Sequence, residues 1–184
     1  MSTSSGVLTR THEPDAARPA VLPPDTVLIP TGLQTRLVHA VAERFPQKAF
    51  GYLVSDCGFC EPTDFVLFDG NVRNDRAWKP RFEAYGRYFV ENADAGFVAT
   101  AEESWRIQQE LVRRDLFEVA IFHSHQRHAA NFSRIDYELH LRWFESLWHL
   151  IISMRNPRYP RLRAFSVSRT GVRELAVAGE LGER

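Results

Sequence analysis

The sequence predicts a single α/β (α+β) domain with a mixed central β-sheet flanked by helices. Three observations carry this. The chain has 184 residues, with 44% apolar and 25% charged, close to globular averages and of a length that fits one domain. Short apolar runs of strand length alternate with segments of helical periodicity. The two kinds of segment follow no strict βαβ rhythm, so the sheet is expected to be mixed rather than wholly parallel.

Residues 1–24 are rich in Ser, Thr, Pro, Ala and charge and are expected to form a tail, the domain spanning 25–178 and a short second tail 179–184. Thr26 to Pro30 reads as a short strand. Leu33, Leu37, Val38 and Val41 then recur at helical spacing, and Pro46 stops that helix. Ala49 to Ser55 and Thr63 to Phe68 read as neighbouring strands joined by a turn over 56–62. Residues 73–99 resist assignment; Trp78, Phe82, Tyr85, Tyr88, Phe89 and Phe97 suit an insertion packed on the core. Thr100 to Glu103 has capping-box spacing for a helix over about 101–114. Leu116 to Phe122 is an apolar strand ending at His123. A helix opens near Ser133 with Tyr137, Leu141 and Phe144 on one face. Leu147 to Ser153 is a strand, and 162–167 with 172–177 form a hairpin around Thr170-Gly171. There is no internal repeat.

Composition excludes several classes. Lys plus Arg and Asp plus Glu are both 23, so no global field favours nucleic acid or acidic membranes. Two cysteines, Cys57 and Cys60, make no disulfide framework. No apolar run approaches the roughly 18 residues of a membrane span, and the N-terminus lacks the apolar core of a signal peptide. A cytoplasmic protein is expected.

The stretch that carries chemistry is His123-Ser124-His125, seven residues, then Ser133-Arg134-Ile135-Asp136. Residues two apart on an extended chain share a face, so the two imidazoles aim into one space. A loop of seven residues can turn back, and Asp136, one turn into the next helix, completes a three-ligand set. Two His and one carboxylate match a catalytic zinc site with its fourth position open to water, whose pKa such a metal lowers from about 15.7 towards roughly 7. Ser133 stands beside the site as a hydrogen-bond donor for a developing oxyanion. A plainer account exists: Ser133 and Asp136 also satisfy a capping box, which needs no catalysis but leaves the paired histidines unexplained.

This pattern resembles the JAMM motif of the MPN+ (JAB1/MPN/Mov34) zinc metalloproteases, over positions 123–136. Upstream, Phe45-Pro46-Gln47-Lys48-Ala49-Phe50-Gly51-Tyr52-Leu53 is similar to the family's segment after its first helix. The resemblance implies an MPN-like domain of cytidine-deaminase-like architecture and a small, bacterial-type member. It also implies zinc-dependent cleavage of peptide or isopeptide bonds, with His123, His125 and Asp136 as ligands and Ser133 as oxyanion donor. The implied partner is a ubiquitin-like or sulfur-carrier protein with a C-terminal Gly-Gly, and neither a membrane nor a nucleic acid is implied.

The sequence departs from the family where the family has its general-base Glu: that position holds Lys48. A protonated Lys cannot accept a proton, and a neighbouring cation repels it. Four accounts stay open. Lys48 acts as a neutral base. The base comes from elsewhere, with Glu43, Glu83, Glu91 or a partner as candidates. The Lys is an inactivating substitution. Or the chain is a non-catalytic module that binds a ubiquitin-like tail. A metal-free domain is the remaining alternative.

Other features are weaker. Cys57-Gly58-Phe59-Cys60 has the CxxC spacing of a redox pair or half a zinc site, but it sits in a turn rather than at a helix start, with no second pair to complete a zinc site. His128 lies in the loop between ligands, and Arg127 and Arg134 flank it; solvent-exposed roles suit all three. Trp143, Trp148 and His149 read as core. Residues 155–163 form a basic loop with four Arg that could meet an acidic partner or nucleic acid.

Overall fold

The computed structural model describes residues 26–58 and 61–179. The expected tails 1–24 and 179–184 lie outside the described residues, apart from Gly179, and so does Cys60. Among the described residues seven strands form one mixed sheet: β1 (Thr26–Leu28), β2 (Phe50–Ser55), β3 (Asp64–Leu67), β4 (Phe117–His125), β5 (Trp148–Ser153), β6 (Arg161–Ser168) and β7 (Gly171–Ala178). Their spatial order is β1-β7-β6-β5-β4-β2-β3. The β1–β7 and β4–β5 pairs are parallel and the others antiparallel. The expected mixed α/β architecture is therefore what the chain adopts.

One helix covers one face. α1 (Thr31–Arg44) buries Leu33, Leu37 and Val41, spaced four apart, against Leu53, Ala120, Phe122, Leu150 and Ile152 of the sheet. It ends at Phe45, whose extended backbone is the conformation that the following Pro46 favours. The other face carries the insertion and two further helices. The insertion forms a 3₁₀ turn (Val72–Asn74) and two short helices, α2 (Lys79–Glu83) and α3 (Arg87–Glu91). It packs Phe82 and Phe97 into a cluster with Phe50, Val54 and Ile121, the aromatic anchoring its composition suggested. The fully buried Arg73 holds it together by donating to the Ala95 and Phe89 carbonyls.

α4 (Ala101–Arg113) begins at Thr100, whose hydroxyl accepts from the Glu103 amide. The expected reciprocal half of that box is absent from this helix start: Glu103 instead accepts from the Asp69 amide. α5 (Arg134–Trp143) joins β4 to β5. Its buried residues are Ile135, Asp136, Leu139 and His140, whereas the expected stripe of Tyr137, Leu141 and Phe144 is only partly buried. The helix sits in a corner between two clusters, so both sides of it meet apolar neighbours.

β4 is longer than its apolar run suggested, continuing through His125. It is bonded to β2 on one side and β5 on the other and covered on both faces, which is why it reads as continuously apolar. Gly51, in β2, lets β3 approach closely: a Cβ there would lie 1.9 Å from the Val66 carbonyl oxygen. Gly51→Ala is therefore expected to cost more than about 3 kcal/mol or to prevent folding, because backbone must move. Gly70→Ala, with open space around it, should stay within about 0.5 kcal/mol. Urea unfolding of the two variants checks this; equal stabilities would contradict the packing described.

Candidate metal centre

Strand alternation sets the site. Ala120 and Phe122 of β4 face α1, while Ile121 faces the insertion and α5. His123 and His125 follow Ile121 in parity and open on its face. α5 brings Asp136 to the same place from its first turn. The three side chains offer ligand atoms within 4.8 Å of one another. His123 Nε2 lies 2.9 Å from His125 Nε2 and 3.3 Å from Asp136 Oδ1, and His125 Nε2 lies 3.8 Å from Asp136 Oδ2. Tetrahedral zinc with ligands at about 2.0–2.1 Å requires ligand atoms about 3.3 Å apart. The His123–His125 and His123–Asp136 separations lie within a few tenths of an ångström of that spacing, and Asp136 and His125 would draw closer together to hold one ion.

Each ligand is oriented from behind. His125 Nδ1 donates to the Ala129 carbonyl at 2.8 Å; a carbonyl only accepts, so the proton sits on Nδ1 and the Nε2 lone pair faces the centre. Asp136 Oδ2 accepts from the Ser133 amide at 3.0 Å and the Ser133 hydroxyl at 2.6 Å, which leaves Oδ1 directed at His123. The Ser133 hydroxyl oxygen in turn accepts from the Asp136 amide, so the capping box is present in full. The hydrogen bonds that form the helix cap thus also fix the Asp136 carboxylate beside His123. His123 is packed between Phe97, with ring centres 4.9 Å apart, and His149, also at 4.9 Å.

His149 and His140 are the residues that sequence reading missed. Both are fully buried. His123 Nδ1 lies 2.8 Å from His149 Nε2, and His149 Nδ1 lies 3.1 Å from His140 Nδ1. Placing His149 in the core was correct, and its ring is also the direct neighbour of His123, whereas Trp143, read as core with it, is exposed and Trp148 is half-buried. Contact between elements that are nine or more residues apart leaves no local signal.

Lys48 lies two residues before β2, in the segment that leads into it. Phe50 pairs with His123, and the Ser124 amide donates to the Ala49 carbonyl, so Lys48 lies across from His125. It shares the parity of Phe50 and hence the face of the site. Burial, first of all, lowers its pKa from 10.5; Asp136 and Asp94 oppose this and Arg73 adds to it. Lys48 in turn lowers both His123 and His125, after burial, the larger cause. Both shifts favour the neutral imidazole, the state that binds a cation. Of the carboxylates weighed as substitutes, Glu43 pairs with His39, Glu83 with Lys79 and Glu91 with Arg87. Asp94, not among them, is the one besides Asp136 that acts on Lys48, and both also act on Tyr88. Tyr88 hydrogen-bonds His128 at 2.9 Å, which ties the insertion to the loop between the ligands.

A groove of about 670 Å³ adjoins that loop, lined by Ala129, Ser153, Arg155, Tyr159, Arg161 and Arg163. Arg163 pairs with Glu174, while Arg155 and Arg161 form no ion pair among the described residues. Cys57, in the turn after β2, is disulfide-bonded. No helix among the described residues is long and apolar enough to cross a membrane.

No family model and no curated protein matches the sequence. Solved structures do resemble it. A solution structure from Desulfitobacterium hafniense is 19% identical with a TM-score of 0.57, over 85% of this chain and 96% of that one. A solution structure from Salinibacter ruber is 21% identical with a TM-score of 0.53, over 86% and 94%. A crystal structure of a JAB1/MPN domain protein from Archaeoglobus fulgidus is 13% identical with a TM-score of 0.42, over 83% and 98%. The first two establish a shared fold and leave activity open. At its score the third bears no weight.

The buried histidines link stability to pH. Burial lowers His140 to about 4, against the raising effects of the Leu147 carbonyl and Glu145, and pushes His123 and His149 well below their ordinary range. An unfolded His takes up its proton near 6.5, so below that pH the unfolded chain binds more protons. The stabilisation is complete above about pH 6.5 and is lost as the pH falls through the window down to about 4. Each such imidazole contributes a slope of up to about 1.4 kcal/mol per pH unit. Urea unfolding in EDTA at pH 7.5, 6 and 5 should show this decline, and a flat profile would contradict it.

Proposed function

We propose that the chain is a zinc-dependent hydrolase of the JAMM type, acting on the C-terminal tail of a ubiquitin-like or sulfur-carrier protein. The observation that carries the reading is the gathering of ligand atoms of His123, His125 and Asp136 within 4.8 Å of one another. Two imidazoles and one carboxylate are the donor set of catalytic zinc, and three ligands leave a position open. Zinc bound there would supply Lewis acidity towards an amide carbonyl and activate water.

The chain's own groups divide the remaining work. Asp136 is fixed by Ser133, whose hydroxyl reaches a substrate oxyanion only by turning its proton away from Asp136 Oδ2. Lys48 occupies the place where a carboxylate would take the proton. Its burial favours the neutral amine, which is able to accept one. The groove with Arg155 and Arg161 suits carboxylates on the partner's surface or tail.

A second reading rests on Lys48 itself. An amine in place of the carboxylate suits a module that holds the same tail without cutting it.

Hydrolysis of a fluorogenic peptide amide ending in Gly-Gly-aminocoumarin, by chain loaded with one equivalent of zinc, tests both readings. The wild type should turn over slowly. Lys48→Glu should raise the rate by about 10²–10⁴-fold, the range of a positioned general base. Asp136→Asn should abolish turnover in either background. No gain in Lys48→Glu, with tight peptide binding retained, would favour the binding module. Hydrolysis surviving in Asp136→Asn would overturn the metal centre.

A further inference from the structure

The ring behind His123 does not stand alone. His123, His149 and His140 form a continuous row of fully buried imidazoles, joined Nδ1 to Nε2 at 2.8 Å and Nδ1 to Nδ1 at 3.1 Å. A neutral imidazole carries one N–H and one lone pair. Each contact holds one proton, and a ring that donates from one nitrogen must accept on the other. The row therefore has two self-consistent polarities and no mixed one.

In the first polarity, His140 Nδ1–H donates to His149 Nδ1, and His149 Nε2–H donates to His123 Nδ1. His123 then carries its proton on Nε2, facing the lone pair of His125 Nε2 at 2.9 Å and Asp136 Oδ1 at 3.3 Å. This suits a site without a cation, and it leaves His140 Nε2 as a buried lone pair. That atom has no hydrogen-bond partner among the described residues.

In the second polarity every ring has shifted its proton to the other nitrogen. His123 Nδ1–H donates to His149 Nε2, His149 Nδ1–H donates to His140 Nδ1, and His140 carries its proton on Nε2. Only this arrangement frees the His123 Nε2 lone pair for a metal.

We propose that His149 and His140 are positioning residues that set the ligating tautomer of His123, and that metal binding reverses the polarity of the whole three-histidine row. The inference rests on the metal reading of the site and adds to it a long-range support that ends about two rings away, under the α5–β5 connection. His125 needs no such device, because the Ala129 carbonyl fixes its tautomer permanently. The two ligands thus differ: one is locked for metal and the other is switchable. Phe132, with its ring at 88° to that of His149 and 5.0 Å away, holds the middle ring in plane.

The direct test is long-range ¹⁵N–¹H NMR of ¹⁵N-histidine-labelled full-length chain, in EDTA and with one equivalent of zinc. His149 should change from the Nε2–H to the Nδ1–H tautomer on zinc addition while His125 stays Nδ1–H. An unchanged His149 tautomer in zinc-bound chain would overturn the proposal and leave the metal site standing. Zinc affinity, read by competition with a chromophoric chelator, gives an independent arm. His149→Phe keeps an aromatic ring but offers no acceptor, and should bind zinc about 10–100-fold more weakly. His149→Gln restores an acceptor and should recover most of that loss. Wild-type affinity in His149→Phe would contradict the proposal. Failure of the wild-type chain to bind zinc at all would overturn the metal reading, and the proposal with it.

Discussion

The pairing of β4 with β2 on one side and β5 on the other is the constraint on which the rest depends. It fixes which face of the central strand His123 and His125 occupy, and a slip of one residue would send both to the α1 face. The same register brings Lys48 across from His125, and it carries His149 in from β5 to stand behind His123. α5, the connection that a parallel β4–β5 pair requires, then supplies Asp136 at its start and His140 one turn further on. Ligands, ligand supports and the amine all follow from one strand's neighbours.

That arrangement has an energetic character of its own. Five titratable side chains (Lys48, His123, Asp136, His140 and His149) sit in or beside an aromatic cluster that would otherwise be plain core. Burial disfavours charge on the imidazoles and the amine, leaving Asp136 as the one ligand that brings a negative charge. A divalent cation at this site would meet nitrogens whose neutral form burial favours and a carboxylate already held by hydrogen bonds, so little reorganisation would oppose its binding. Binding to the folded chain alone adds stability by mass action, which offsets part of the cost of burying polar rings.

Much of the fold was legible because its signals are local. Leu33, Leu37 and Val41 announce α1 by spacing, Thr100 and Ser133 announce helix starts, and Thr170-Gly171 announces the last hairpin. The grouping of three side chains that could hold a metal was legible for the same reason: His123, His125 and Asp136 lie within fourteen positions, and strand alternation followed by a capped helix brings them together. What was not legible depends on contacts between distant elements. The buried stripe of α5 was misjudged because the helix packs into a corner rather than against one surface. His149 looked like an ordinary core residue, and nothing near it in sequence points to His123. The insertion's aromatics were recognised as packing groups, but Phe97 could not be placed against a ligand ring, nor Asp94 near Lys48, without the fold.

X-ray absorption at the zinc edge, on chain loaded with one equivalent, tests the central claim most directly. The account predicts four nitrogen or oxygen neighbours at about 2.0–2.1 Å, two of them imidazoles with their characteristic outer-shell scattering. A sulfur neighbour at about 2.3 Å, or a six-coordinate oxygen shell without imidazole, would place the ion elsewhere and contradict it.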